Sequence, residues 1–308
     1  MRGFSGEIRY HESLAAHTTF RAGGPADIWV QPGPDRFSEC AASLLGSAAV
    51  AGIPVFILGG GANIVVSGRG IRGMVLDTRS WSGWEIEGDK VLVRSGTPVD
   101  DLAEGLGGRG FSGLEFLAGM PGTVGGAVWM NARCYDREIA GPLLETEVLE
   151  PDRFGTWRPH WIPREPLDFA YKKSPFQGSR ALILNARFAL ERRDPAELRR
   201  VMAGYCKDRK EKGHYRYPSA GSAFKNNRDF GKPTGKIIDE LGLRGLSLGG
   251  AQVAPWHGNL IINTGTASAG DIRGLVETLQ DRVRDSLGLE LEPEILFVGD
   301  WDAPATGP

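Results

Sequence analysis

The segment 119–127, Gly-Met-Pro-Gly-Thr-Val-Gly-Gly-Ala, contains four glycines and one proline between two short apolar stretches. Such a segment does not belong inside a regular helix or strand, because glycine there costs the most conformational entropy. Consecutive glycines let a ligand approach the backbone closely, and their N–H groups can form a cradle for phosphate oxygens. Neither the P-loop pattern nor Gly-x-Gly-x-x-Gly is present. From this loop alone, a diphosphate cradle of another design and a tight structural turn stay equally open.

A second glycine run lies about sixty residues earlier. Residues 55–58 are apolar, as in a buried strand, and they lead directly into Gly59-Gly60-Gly61-Ala62-Asn63. Each of the two glycine runs therefore follows a predicted buried segment, and the pair favours a ligand-binding role over two unrelated turns.

Length and charge exclude several classes of protein. The 308 residues are enough for two or three domains, and a net charge of −2 provides no basic surface for nucleic acid. The three cysteines, Cys40, Cys134 and Cys206, are far apart in the chain, which argues against a disulfide framework or a cysteine metal site. No cluster of His, Asp or Cys has the spacing of metal ligands, so we expect no metal.

The sequence predicts a cytoplasmic protein. Residues 1–13 lack the apolar core of a signal peptide. The longest apolar stretch, 48–66, contains Pro54, the three glycines and Asn63, so it cannot form one membrane helix. We expect no membrane partner.

Hydrophobic spacing predicts an α+β fold. Pro34-Asp35 begins a helix that continues to about residue 51, and residues 81–95 form a hairpin with Gly88-Asp89 at its turn. Thr97 is expected to cap the next helix, and Ser268 to cap a long helix ended by Gly288. Further strands are expected at 27–31, 55–58, 73–77, 143–150, 156–162, 181–190 and 295–298, and further helices from Asp194 and over 236–241.

Seven short segments occur in the order found in one enzyme family. They are residues 19–26 (Thr-Phe-Arg-Ala-Gly-Gly-Pro-Ala), 58–63, 119–127 with Met130-Asn131, 171–174 (Tyr-Lys-Lys-Ser), 218–226 (Pro-Ser-Ala-Gly-Ser-Ala-Phe-Lys-Asn), 250–253 (Gly-Ala-Gln-Val) with His257, and 292–294 (Glu-Pro-Glu). Together they span nearly the whole chain, and the chain resembles the UDP-N-acetylenolpyruvoylglucosamine reductases, the MurB family. Its length and Pro-Ser-Ala-Gly-Ser segment resemble the type II branch.

The resemblance implies a vanillyl-alcohol-oxidase-like (PCMH-type) FAD-binding fold of two α/β subdomains followed by a C-terminal α+β substrate domain. The expected boundaries are 1–193 for the FAD-binding part, with subdomains at about 14–77 and 78–193, then 194–298 for the substrate domain and 299–308 for a tail. The implied cofactor is non-covalent FAD, with NADPH as co-substrate, a UDP-sugar as substrate and a monomeric protein. The implied FAD-binding residues are Leu58, Gly59, Gly60, Gly61, Ala62, Asn63, Gly119, Pro121, Gly122, Thr123, Gly125, Gly126 and Ala127.

The implied reaction reduces an enolpyruvyl ether in peptidoglycan synthesis, and it needs stabilisation of an enolate and a proton donor for C2. Ser222 matches the proton donor, Glu294 matches the carboxyl group beside the enolate, and Lys172 would offset the enolate charge. A carboxyl group there makes sense if it is protonated or shares a proton with the substrate carboxylate. Tyr171, Lys212, Asn226, Gln252 and His257 match the UDP-sugar side. Taken singly, each of these residues would be read as an ordinary turn, cap or surface residue.

Three departures from the family pattern affect these assignments. The family's catalytic arginine falls on Lys172, and the arginine that usually follows the catalytic glutamate by two positions is Leu296. The family's Asn-Ala-Gly-Ala-Tyr-Gly reads Asn-Ala-Arg-Cys-Tyr-Asp over 131–136, so Arg133 and Asp136 replace glycines.

Two alternatives remain. One is an FAD-linked oxidase of the same superfamily, which would often tether its flavin to His or Cys; Cys134 lies near a glycine run, but no histidine does in sequence. The other is a flavin-binding paralogue that has lost activity, with Lys172 and Leu296 as the signs of it.

Overall fold

The computed structural model describes residues 4–165 and 168–301. The chain forms two compact units. Unit 1 comprises 1–10, 28–60 and 73–207, and unit 2 comprises 11–27, 61–72 and 208–308. The boundary between the units falls inside the first glycine run, between Gly60 and Gly61.

The strands of the described residues are numbered in chain order. Strands β1 to β9 are Gly6–Ser13, Pro25–Pro32, Val55–Leu58, Ile64–Val66, Ile71–Asp77, Trp84–Glu87, Lys90–Arg94, Phe111–Ser112 and Arg133–Cys134. Strands β10 to β18 are Arg137–Glu138, Leu143–Pro151, Trp157–Pro163, Leu182–Ala189, Glu191–Arg192, Ser247–Leu248, Ala251–Val253, Ile261–Asn263 and Leu296–Val298. Helices α1 to α6 are Phe37–Val50, Val99–Gly107, Val124–Met130, Pro195–Glu211, Thr234–Glu240 and Ala269–Leu287.

Unit 1 is built on an antiparallel sheet in the order β12-β11-β13-β7-β6. Its strands carry β-branched and aliphatic residues whose inward side chains are buried with those of α2 and α3. The predicted hairpin is confirmed, with Glu87 paired to Lys90 across the turn. The predicted first helix is also confirmed, because Phe37, Ala41 and Leu45 of α1 are buried on one face.

Unit 2 contains the antiparallel sheet β15-β16-β17 and the parallel pair β18-β4. Its core is the apolar stripe of α6, which includes Ile272, Leu275 and Leu279, packed with Phe224 and Ile237. The prediction that Ser268 caps α6 is confirmed: its hydroxyl accepts the Asp271 N–H, and the Asp271 carboxylate accepts the Ser268 N–H. The helix ends at Gly288 in the left-handed conformation, as expected.

Some predictions at element ends are wrong. Thr97 does not cap α2, since its hydroxyl bonds to both backbone groups of Gly83 while α2 begins after Pro98. Strand β1 was not predicted at all. Of the predicted tail 299–308, residues 302–308 lie outside the described residues. At its start, Ser67 donates to the Asp300 carbonyl and the Trp301 indole donates to Val298.

The described residues were searched for two further features. None of their helices combines the length and apolar character needed to cross a bilayer. No group of three or more His, Cys, Asp or Glu side chains among them is arranged to hold a metal ion.

Candidate functional site

In unit 1 the loop 119–127 is fixed by backbone bonds to the segment that links β7 to α2. The Gly125 N–H donates to Ser95 O at 2.8 Å and the Val124 N–H donates to Thr97 O at 2.9 Å. The Gly119 N–H donates to the Asp100 carboxylate, and Gly119 has a φ of +72°. These three N–H groups are used by the protein itself, so they do not form the anion cradle that the sequence suggested.

The two glycine runs meet within unit 1. A Cβ at Gly59 would lie 2.5 Å from the Thr123 hydroxyl oxygen, and a Cβ at Gly60 would lie 2.7 Å from the Gly122 Cα. Real Cβ atoms do not come this close to other atoms. Close packing is therefore a sufficient reason for glycine at both positions. Leu58, which precedes them, is 3% exposed and its carbonyl accepts the Thr78 N–H and hydroxyl.

One face of this loop is open and polar. Gly126 is exposed, and a Cβ there would meet only the Thr123 hydroxyl, at 3.6 Å. That hydroxyl is buried and has no hydrogen-bond partner among the described residues. Ala127 beside it is buried, whereas Pro121 is exposed. An unpaired buried hydroxyl next to an uncovered glycine fits a polar ligand laid against the first turn of α3, as a flavin diphosphate would be.

The remaining residues of the first glycine run belong to unit 2. Gly61 has a φ of +60°, and a Cβ there would lie 2.1 Å from the His17 carbonyl oxygen. The main chain of His17 thus adjoins this glycine run, although the two are more than forty residues apart in sequence. The His17 ring pairs with Glu12 at 2.8 Å. Ala62 is half-buried.

Asn63 joins the glycine run to the segment of Glu294. Its amide donates to Glu294 O at 3.0 Å, and its own carbonyl accepts the Leu296 N–H at 3.0 Å. Beyond it, Ile64 pairs with Leu296 in the parallel ladder of β4 and β18. The side chain that was predicted to contact the cofactor is thus engaged with the protein main chain.

Unit 2 also brings Ser222 and Glu294 onto adjoining segments. The Glu294 N–H donates to Ala223 O at 2.8 Å, and the Lys225 N–H donates to Glu292 O at 2.9 Å. Both Ser222 and Glu294 are half-buried. Two residues that are 72 positions apart in sequence are therefore held by one short antiparallel ladder.

Asn259, a residue that our sequence reasoning missed, is hydrogen-bonded to this ladder. Its amide donates to Phe224 O at 2.8 Å and accepts the Phe224 N–H at 2.9 Å, while its carbonyl accepts the Ala223 N–H at 2.9 Å. Asn259 is 3% exposed. Its sequence context, His-Gly-Asn, carries no signal for this role beyond its nearness to His257.

Lys172 lies at a tight turn in unit 1. Ala170 and Lys173 exchange both backbone hydrogen bonds, at 3.1 and 2.9 Å, which leaves Tyr171 and Lys172 as the two central residues. Lys172 has a φ of +56°, a conformation that this turn position normally gives to glycine. The Lys172 carbonyl accepts the Gln177 amide at 3.2 Å, and Ser174 donates to Trp129 O at 2.6 Å.

Lys212 and His257 lie close to each other and to His214, near the C-terminal end of α4. Lys212 pairs with Asp208 at 2.8 Å, and the His214 and His257 rings are 5.8 Å apart. Burial lowers the pKa of His214 to about 4, with Arg209, His257 and Lys212 adding to the effect. Burial also lowers the pKa of His257. Both imidazoles are therefore neutral at pH 7 and can accept or donate hydrogen bonds.

The two predicted amide ligands have structural partners. The Asn226 side-chain oxygen accepts the Thr234 N–H at 2.9 Å, at the start of α5. The Gln252 amide donates to Ser247 at 3.0 Å and to Gly245 O at 3.3 Å. Both amides belong to unit 2, as do Ser222 and Glu294.

Comparison with family models defines the class of protein. Residues 38–152, which contain the glycine loops of unit 1, match the FAD binding domain model. Residues 213–298 match the model of the UDP-N-acetylenolpyruvoylglucosamine reductase C-terminal domain. The chain is thus an FAD-binding flavoprotein of mixed α/β architecture with a distinct C-terminal domain, as predicted from its sequence.

Relatives and solved structures define the family. A reductase of this name from Treponema denticola is 41% identical over 96% of this chain and 95% of its own length. One from Halalkalibacterium halodurans is 34% identical over 96% of this chain and 95% of its own length. The crystal structure of the Thermus caldophilus enzyme (MurB) superposes with a TM-score of 0.78 at 32% identity, covering 96% of this chain and all of that one. The chain belongs to the UDP-N-acetylenolpyruvoylglucosamine reductase family.

Proposed function

We infer that this chain is the NADPH-dependent flavoenzyme that reduces UDP-N-acetylglucosamine enolpyruvate to UDP-N-acetylmuramate in peptidoglycan synthesis. The observation that carries this conclusion is the identity of 41% to a reductase of this name along 96% of the chain. Both the FAD-binding and the C-terminal segments match family models.

Bound FAD would supply the hydride-transfer chemistry between NADPH and C3 of the enolpyruvyl group. We propose that the open face at Gly126 and the Thr123 hydroxyl receive the diphosphate of FAD. The unpaired buried hydroxyl supports this, because a bound phosphate oxygen would satisfy it. Gly59, Gly60 and Gly125 would act indirectly, by letting the backbone pack closely enough to form the loop.

Three side chains carry the proposed chemistry on the substrate. Lys172 places a positive charge against the enolate that develops on hydride addition. Ser222 gives its hydroxyl proton to C2, which is a strong enough base to accept it. Glu294 lies beside the enolate as a carboxylic acid or shares a proton with the substrate carboxylate. The ladder between the Ser222 and Glu294 segments supports a common role for these two residues.

The UDP-sugar contacts remain proposals. Lys212 supplies a cation to the diphosphate, and Tyr171, Asn226 and Gln252 supply hydrogen bonds. The lowered pKa of His257 makes it a neutral hydrogen-bonding group in this role and not a second cation.

We also propose which part of the chain binds FAD and which part binds the UDP-sugar. FAD is held by residues up to about 193 and the UDP-sugar by residues 194–298. Segments 11–27 and 61–72 belong to the same compact unit as residues 208–308. We propose a monomer that works in the cytoplasm, where NADPH and UDP-sugars are available.

A steady-state assay separates this function from its alternatives. The purified protein should oxidise NADPH only when the UDP-enolpyruvyl sugar is added. Oxygen consumption without that sugar would indicate a flavin oxidase. A yellow protein with neither activity would be a flavin-binding paralogue that has lost catalysis.

A further inference from the structure

Positions 133 and 172, at which the sequence differs from the pattern described in the sequence analysis, lie in one contact network. The Arg133 guanidinium carbon is 5.4 Å from the centre of the Tyr171 ring, and Tyr171 precedes Lys172 in the same turn. An arginine over an aromatic face is held by both charge and planar stacking. A guanidinium therefore lies on the ring of the residue that precedes Lys172.

A carboxylate connects Arg133 to the base of that turn. Glu138 pairs with Arg133 at 3.4 Å and accepts the Asn131 amide at 3.2 Å. The same Asn131 amide donates to Ala170 O at 2.8 Å. Ala170 is the residue that closes the turn with Lys173. Arg133 thus reaches the turn from two sides, through the Tyr171 ring and through Glu138 and Asn131.

The anchor points are themselves constrained. Asn131 is 0% exposed and has a φ of +44°, and Arg133 pairs with Glu138 across the β9–β10 hairpin. At the hairpin tip, Tyr135 stacks on Tyr205 with ring centres 4.1 Å apart, and its hydroxyl donates to Tyr205 O. The hairpin therefore presents Arg133 from a rigid base.

Lys172 needs such support. A lysine with a φ of +56° is in a conformation that L side chains adopt rarely and at a cost. Residues held in such conformations persist where their surroundings over-determine them, and they cluster at functional sites.

We propose that Arg133 is a positioning residue that acts through Lys172: it fixes the Tyr171–Lys172 turn so that the lysine ammonium faces the enolate. The idea rests on the proposed function and assigns Arg133 no contact with substrate.

The test is a double-mutant cycle on the FAD-loaded enzyme, with the two half-reactions followed by stopped-flow absorbance of the flavin. Lys172→Met should slow reoxidation by the UDP-enolpyruvyl sugar by roughly tenfold to a thousandfold. Arg133→Met should slow it by roughly tenfold, and Arg133→Lys should be similarly slow because an ammonium cannot stack or fork as a guanidinium does. The Arg133→Met, Lys172→Met double variant should be no slower than Lys172→Met alone.

Controls separate positioning from general damage. Flavin reduction by NADPH and FAD content should be unchanged in every variant. Arg109 is a matched control in unit 1, because its guanidinium also lies on an aromatic ring, 4.9 Å from the Trp84 ring centre. Arg109→Met should leave both half-reactions unchanged.

Three results would overturn the proposal. They are normal reoxidation in Arg133→Met, equal slowing of both half-reactions, or multiplicative effects in the double variant, which would mean that Arg133 acts independently of Lys172. If the wild-type flavin is not reoxidised by the sugar at all, the proposed function fails before any variant is compared.

Discussion

At the scale of single residues, glycine has two different purposes in the loop 119–127. A Cβ at Gly125 would lie 2.8 Å from the Ser95 Cβ, so glycine is needed there for packing. Gly126 is exposed and has room for a side chain. Of these two glycines, Gly126 is therefore the one at which a substitution can test ligand approach without disturbing the packing of the protein.

Gly126→Leu should leave the apoprotein folded and lower its FAD content. Leucine favours the helix over glycine by about 0.5–1 kcal/mol, so the free energy of unfolding should not fall. If the side chain occupies the place of the diphosphate, FAD affinity should drop by at least roughly tenfold, or about 1.4 kcal/mol. Flavin absorbance per protein and denaturant unfolding measure the two effects. Gly204→Leu, at an open position in α4, is the control. Full FAD content in Gly126→Leu would mean that the loop is only a turn.

Ser222→Ala should slow one half-reaction and not the other. Flavin reduction by NADPH does not need the hydroxyl proton, so its rate should stay close to that of the wild type. Reoxidation by the UDP-enolpyruvyl sugar should slow by roughly a hundred- to ten-thousandfold, as expected for loss of a positioned acid. Ser222→Cys should recover part of the rate, since a thiol can also donate. Equal slowing of both steps would instead assign Ser222 to flavin positioning.

His214 should make stability depend on pH. Its pKa of about 4 in the folded protein lies below the ordinary value of 6.5. The unfolded chain therefore binds the proton more tightly, and the contribution of neutral His214 is lost as pH falls from about 6.5 to about 4. The melting temperature of the wild type should fall more across this window than that of His214→Gln. His160→Gln, an exposed histidine, serves as the control. Parallel pH profiles for wild type and His214→Gln would contradict the assignment.

At the scale of elements, the Ser222 and Glu294 segments are held together by backbone bonds and by one amide. Asn259 makes two buried hydrogen bonds to Phe224. Asn259→Ala leaves the Phe224 N–H and carbonyl without these partners, which should cost about 1–3 kcal/mol in the free energy of unfolding.

The ladder should also matter for catalysis. In Asn259→Ala, reoxidation of the flavin by the sugar should slow while reduction by NADPH does not. Asn227→Ala, which removes a single exposed bond to the Asp229 N–H, should have smaller effects on both stability and rate. Unchanged stability in Asn259→Ala would show that the ladder does not depend on this amide.

The sequence predicted the long elements better than their ends. The stripes of α1 and α6 and the hairpin at 81–95 rest on local spacing, and the structure confirms them. The cap at Thr97 was wrong because Gly83, fourteen residues away, competes for the hydroxyl. Strand β1 was missed because its eight residues are mostly polar and exposed, which removes the periodic signal.

At the scale of the whole molecule, resemblance identified the family, and the comparisons confirm it. What the motifs could not predict was which groups are already bonded within the protein. Asn63, Gly119 and Gly125 were predicted to bind FAD, yet their polar groups bond to Glu294, Asp100 and Ser95. Asn259 had no recognisable signal, because its role arises from contacts between segments 35 residues apart.

The most direct test of the function is an anaerobic two-step mixing experiment on the wild-type protein with its bound FAD. NADPH should bleach the flavin absorbance, and the UDP-enolpyruvyl sugar should then restore it with formation of one UDP-N-acetylmuramate per NADPH consumed. A flavin that NADPH reduces but that only oxygen reoxidises would contradict the assignment of this chain as the reductase.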